Sequence, residues 1–142
     1  MLTIAVGFFA QGKLKTVSLS GGAPLTVCSV SLGRGASWGA DGSIIFAPSY
    51  SGLFRVSTAG GTPKPLTTPD RKKGEIAHRW PEILPGSKAV IFTMWNGSAN
   101  LDEERIGVLY LKIGEQRVLV EGALTPGTPP PVTWSMPERA GW

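Results

Sequence analysis

Apolar residues in this chain come in short bursts, and a glycine or proline closes nearly every burst. Residues 37–67, SWGADGSIIFAPSYSGLFRVSTAGGTPKPLT, show the pattern in full. Trp38 sits in a short first strand, and Ala40-Asp41-Gly42 supplies a tight turn. Ile44-Ile45-Phe46-Ala47 is an unbroken apolar run, the composition of a strand covered on both faces. Residues 52–57, GLFRVS, alternate instead, with Leu53 and the aliphatic part of Arg55 turned away from Phe54 and Val56. Ala59-Gly60-Gly61-Thr62 is a hairpin turn, because Gly-Gly accepts the positive φ that such turns require. Leu66 anchors a last, outer strand. The unit is four strands joined by three turns.

The same unit recurs on both sides. Upstream, Phe8-Phe9-Ala10 matches Ile45-Phe46-Ala47, and Leu14 to Ser18 matches Leu53 to Ser57. Downstream, Trp80 matches Trp38, Leu84-Pro85-Gly86-Ser87 matches the Ala40 turn, and Val90-Ile91-Phe92-Thr93 matches the apolar run. Val17, Val56 and Leu109 take equivalent places, as do Leu25, Leu66 and Leu119. The second interval is longer because residues 95–105 form an insertion between two strands. A repeat of about 40 residues with four strands per unit is the mark of propeller blades, each burying its faces on its neighbours. Strands are expected near residues 3–10, 13–19, 24–27, 36–38, 43–47, 52–58, 64–67, 77–81, 88–94, 106–112 and 117–120. No stretch keeps a helical apolar spacing, so the class is all-β, in four-stranded antiparallel sheets.

The blades divide the chain into a partial blade at 1–35, a complete blade at 36–76 and a complete blade at 77–121 carrying the inserted loop 95–105. Residues 122–142 are an irregular tail or the start of a further blade. Closed propellers need at least four blades, so the chain is expected to be part of a larger propeller, completed by further blades or by self-association.

Composition narrows the chemistry. Glycine 19 and proline 12 in 142 residues punctuate β-branched and aromatic runs, which speaks for many turns rather than disorder. A net charge of +4 is mild, and its densest piece, Arg71-Lys72-Lys73, is flanked by Asp70 and Glu75 with no adjacent aromatic ring. A nucleic-acid groove wants a stripe of cations with stacking rings, so none is expected. The single cysteine, Cys28, rules out an internal disulfide and a cysteine-based zinc site, and reads as a small apolar residue near a strand end. Residues 2–10, LTIAVGFFA, are too short to span a membrane and lack a preceding basic residue, so they read as a buried strand and not a signal peptide. No membrane insertion by this chain is expected.

The order of punctuation carries a family likeness. Its residues are Gly7-Phe8-Phe9-Ala10, Val17-Ser18-Leu19-Ser20-Gly21-Gly22-Ala23-Pro24-Leu25, Arg34-Gly35-Ala36-Ser37-Trp38, Ile45-Phe46-Ala47-Pro48, Gly52-Leu53-Phe54-Arg55-Val56, Gly60-Gly61-Thr62-Pro63 and His78-Arg79-Trp80-Pro81. They resemble the WD-repeat-like repeats of TolB-type β-propellers, and are most similar to propellers fused behind the kinase domain of bacterial serine/threonine protein kinases. The resemblance covers about residues 5–121, and no kinase motif lies in the chain. It implies a non-enzymatic interaction or sensor module, and an extracytoplasmic location. The alternative is the propeller part of a peptidase-type hydrolase whose catalytic domain lies elsewhere.

No catalytic constellation, cofactor site or metal site emerges. His78 is the sole histidine, nothing places an acid beside it, and the Gly-Gly turns lead into strands rather than the helix a phosphate loop needs. His78-Arg79-Trp80-Pro81 falls at the start of an inner strand, where it is either a structural corner or a border of the central channel. The loops 28–35, 68–76 and 122–131 open on one face, with the 95–105 loop farther from the axis. Candidate partner-binding residues there are His78, Arg79, Arg34, Arg71, Lys72 and Trp95. The face is expected to be locally positive and to favour a protein or a small anionic ligand.

Overall fold

The computed structural model describes residues 4–100 and 103–121. Eleven strands make up the described residues: β1 (Ala5–Ala10), β2 (Lys13–Ser18), β3 (Leu25–Ser29), β4 (Gly33–Trp38), β5 (Ser43–Pro48), β6 (Phe54–Ser57), β7 (Lys64–Pro65), β8 (Ala77–Ile83), β9 (Ala89–Trp95), β10 (Arg105–Tyr110) and β11 (Glu115–Val120). They form three antiparallel sheets in simple meander order: β1-β2-β3, β4-β5-β6-β7 and β8-β9-β10-β11. A single 3-10 turn at Arg71–Lys73 is the helical content of the described residues. The all-β blade architecture expected from the repeats is the observed one.

The two kinds of apolar run explain the packing. On β5, Ile44 and Phe46 face the first sheet, where they join Leu14, Val27, Cys28, Val30 and Val56. The alternate residues Ile45 and Ala47 face the third sheet and join Leu53, Val90, Phe92, Met94 and Leu109. A strand with a core on each side has no solvent face, so its sequence shows no polar alternation. The next segment divides in the same way: Leu53, just before β6, faces the third sheet, and Val56 on β6 faces the first, with Phe54 packed beside it. Cys28 lies buried in the first of these cores, and burial pushes its thiol pKa up.

The outer edges are made unattractive to further pairing. β7 is two residues long and contains Pro65, which has no backbone N–H to offer. The outer residues of β11 are exposed and include Glu115, Gln116 and Arg117.

Both inner strands, β4 and β8, carry a bulge, between Gly33 and Ala36 and between Arg79 and Glu82. The bulge starts β4 earlier than the apolar pattern indicates, at Gly33, with Gly35 at φ 100°. It also corrects one sequence correspondence. Gly39 N–H bonds Ser43 O, and Leu84 N–H bonds Ala89 O, so Leu84 takes the place of Gly39. Trp38 therefore corresponds to Ile83, and Trp80 stands three positions earlier, inside the bulge at φ 54°. Trp80 is 56% exposed, not buried between blades. Its backbone abuts the neighbouring inner strand, since a Cβ on Gly35 would come within 3.0 Å of the Trp80 Cα.

Candidate functional site

The strand pairing puts one set of loops at one end of the blades. Gly33 pairs with Pro48 and Ala77 with Trp95, so the starts of β4 and β8 share an end with the loops after β5 and β9. Arg34, Ser49, Tyr50, Arg79 and Trp95 are all at that end.

Arg79 is the hub. Its guanidinium carbon lies 3.6 Å from the centroid of the Trp95 ring, and its Nη2 donates to Ser49 O at 3.3 Å. Tyr50 tilts against the same indole at 6.2 Å, and 64% of Tyr50 is exposed. Trp95 is itself held, its Nε1 donating to Ser98 O at 2.8 Å inside the inserted loop. The Arg79 guanidinium is half-buried, and that burial, followed by repulsion from the Arg34 charge, lowers its pKa. Glu104 lies close enough to feel the Arg79 charge, but its burial outweighs that attraction and raises its carboxyl pKa. Three polar atoms of this cluster are buried without a hydrogen-bond partner among the described residues: Arg34 Nε, Arg79 Nε and Ser49 Oγ.

His78 belongs to a different structure. It is fully buried, and both ring nitrogens are engaged, Nδ1 with Thr67 Oγ1 and Nε2 with Glu75 Oε1, each at 2.7 Å. The Thr67 oxygen already accepts the Leu53 N–H at 2.9 Å, so its own hydrogen goes to Nδ1. Nε2–H then donates to Glu75, and a neutral ring satisfies every partner. Burial lowers the His78 pKa, which holds the ring in that form. Glu75 also accepts the Asp70 N–H at 3.2 Å and pairs with Arg105 at 3.2 Å. The His78 backbone N–H bonds Ser51 O, and the ring sits 4.7 Å from Phe92. The network ties the second blade to the third and offers no atom to a ligand.

The sequence-based candidates thus separate. Arg34, Arg79 and Trp95 come together on the loop face. His78 lies beneath it as a structural corner. Arg71 and Lys72 are exposed in the 3-10 turn, whose end is capped by Asp70 accepting the Lys72 N–H at 3.0 Å, and their side chains take no part in the cluster. Glu75, counted by sequence among the acids of the surface, is buried and committed to His78 and Arg105. The loop at 122–131 lies outside the described residues. Sequence reasoning missed Ser49, Tyr50 and Glu104. Only position pointed to Ser49, which comes directly after β5 much as Trp95 closes β9. Among the described residues no three His, Cys, Asp or Glu side chains gather as a metal-binding group, and no helix is long and apolar enough to cross a membrane.

No family model matches the chain, and no curated protein matches it. Solved structures do. TolB from Acinetobacter baumannii superposes with a TM-score of 0.60 at 18% identity, over 76% of this chain and 26% of that protein. A protein assigned as TolB from Agrobacterium tumefaciens superposes with a TM-score of 0.64 at 12% identity, over 84% of this chain and 42% of that protein. The chain spans less than half the length of either. In fold, then, the described residues are similar to a run of blades from a TolB-type β-propeller.

Proposed function

We propose that this chain is a non-enzymatic β-propeller module that recognises a partner protein on the face where β4 and β8 begin. The observation that carries the reading is the Tyr50–Trp95–Arg79 stack, assembled from two blades and leaving Tyr50 largely exposed. Aromatic and arginine side chains on rigid strand ends are the usual anchors of binding surfaces. The one buried Thr–His–Glu arrangement is spent on holding blades together, which supports a binding role over a hydrolytic one. A kinase-fused parent, implied by the sequence resemblance, and a hydrolase parent would each add a domain beyond these blades, and neither draws support from the structural similarities.

The test is selection of binders from a displayed peptide library against the chain. Tyr50→Ala is expected to weaken the selected peptides about tenfold or more, the scale of a lost aromatic anchor. Arg117→Ala, on the outer edge strand β11, is expected to leave them unchanged. Equal binding by both variants, with both melting like the parent chain, overturns the assignment of the face.

A further inference from the structure

Two arginines, Arg34 and Arg79, stand near the starts of neighbouring inner strands. Gly35 and Trp80 touch backbone to backbone, and Arg34 and Arg79 immediately precede them. The Arg34 charge is felt at Arg79. An arrangement of like charges is unfavourable by itself, and the Trp95 ring, Ser49 O and Glu104 offset it only on the Arg79 side. Arg34 makes no ion pair or hydrogen bond among the described residues, and its Nε is buried. Arg79 has one hydrogen bond, to Ser49 O, and its Nε is also buried and unpartnered. The third orphan, Ser49 Oγ, belongs to a residue only 7% exposed and next to the Arg79 contact. A buried donor without a partner destabilises a fold, the more so when it is charged. Three such atoms in one cluster are the pattern of a site lacking its ligand.

We propose that Arg34, Arg79 and Ser49 form an oxyanion site that takes a carboxylate of the partner, a proposal that rests on the loop face being the docking surface. Two guanidinium forks and a hydroxyl match the acceptor-only geometry of a carboxylate. A monoanion fits better than a phosphate, because Glu104 stands near Arg79 and would oppose a second negative charge. The three atoms are shielded from bulk water, so only the tip of a small group enters, after a rotation of the half-exposed Arg34 side chain. Trp95 and Tyr50 beside it would cover the apolar part of the same residue or its neighbour.

Acetate is the first probe, with inorganic phosphate as a second arm and sodium chloride holding ionic strength constant. The readout is the set of arginine Nε–Hε resonances of the 15N-labelled chain. Acetate is expected to shift two of them saturably, and Arg34→Gln and Arg79→Gln each to remove one and abolish the response of the other. Ser49→Ala, a small change, should keep the melting temperature and weaken acetate binding several-fold. Phosphate binding tighter than acetate, or an unchanged acetate response in Arg34→Gln, overturns the carboxylate site. In selected peptides, replacing Asp or Glu by its amide should weaken binding about tenfold to a hundredfold. If the amides bind equally while Tyr50→Ala still abolishes binding, the docking face stands and the oxyanion site falls. If Tyr50→Ala has no effect, the docking face itself falls.

Discussion

Gly52→Ala is expected to cost about 4 kcal/mol or more and to leave the chain largely unfolded at modest denaturant concentrations. A Cβ at this buried glycine would lie 1.8 Å from Thr67 O and 2.5 Å from Thr67 C, both backbone atoms. Backbone gives way less readily than a side chain, and here it is fastened. Leu53 O accepts both the Leu66 N–H at 2.8 Å and the Thr67 N–H at 3.4 Å, and Leu53 N–H donates to Thr67 Oγ1 at 2.9 Å. Moving Thr67 would also pull its hydroxyl from His78. Overpacking ordinarily destabilises by about 1–3 kcal/mol, and losing these hydrogen bonds adds to that. A domain of this size has about 5–15 kcal/mol in total. Gly61→Ala is the control: it has open space around it but φ 117°, so only backbone strain of about 1–2 kcal/mol is expected. Urea midpoints of the two variants decide the matter. A Gly52→Ala midpoint no lower than that of Gly61→Ala would contradict the close approach of Gly52 to the Thr67 backbone.

His78→Ala is expected to destabilise by about 3–5 kcal/mol, through the loss of a fully buried ring and the desertion of Thr67 and Glu75. A ligand-contacting histidine on the channel wall would instead be removed with little change in melting temperature, so thermal denaturation separates the two roles. The same ring gives a pH dependence of defined sign. Burial holds the folded-state pKa of His78 below its ordinary value of 6.5. The unfolded chain therefore takes up a proton first as pH falls, and stability drops. Above pH 6.5 there is no penalty; below it, stability is expected to fall by up to about 1.4 kcal/mol per pH unit until the folded ring protonates. The effect should vanish in His78→Gln, since the chain has no other histidine. A flat stability profile from pH 7 to 5.5 in the parent chain would show that the ring titrates normally and is not enclosed.

Much of the fold was legible because its determinants are local. Apolar runs interrupted by glycine turns placed the strands within a few residues, and the repeat put them into blades. The places where local pattern misled are both bulges. A bulge inserts residues that pair with nothing, so neither alternation nor repeat spacing counts them. The bulge is why β4 begins at Gly33, and Trp80, inside the equivalent bulge of β8, takes the place of Gly35 and not of Trp38. The chemistry of the loop face was half legible. Arg34, Arg79 and Trp95 stood out as residue types at inner-strand starts and in the insertion, but Ser49 and Tyr50 lie in a short turn with no conspicuous composition.

The chain's own pattern determined the strand set, the meander order within each blade and the double-sided burial of β5, because period-two alternation and positive-φ glycines act between neighbours in sequence. Only the packing of blade on blade decided that His78 is a hidden strut and Arg79 a surface hub, although the two are adjacent in sequence. Successive residues of a strand point to opposite sides. One side of β8 meets Thr67, Glu75 and Phe92, while the other meets Ser49 and Trp95. Those partners come from separate strands and loops, and no spacing along the chain announces which side will be covered.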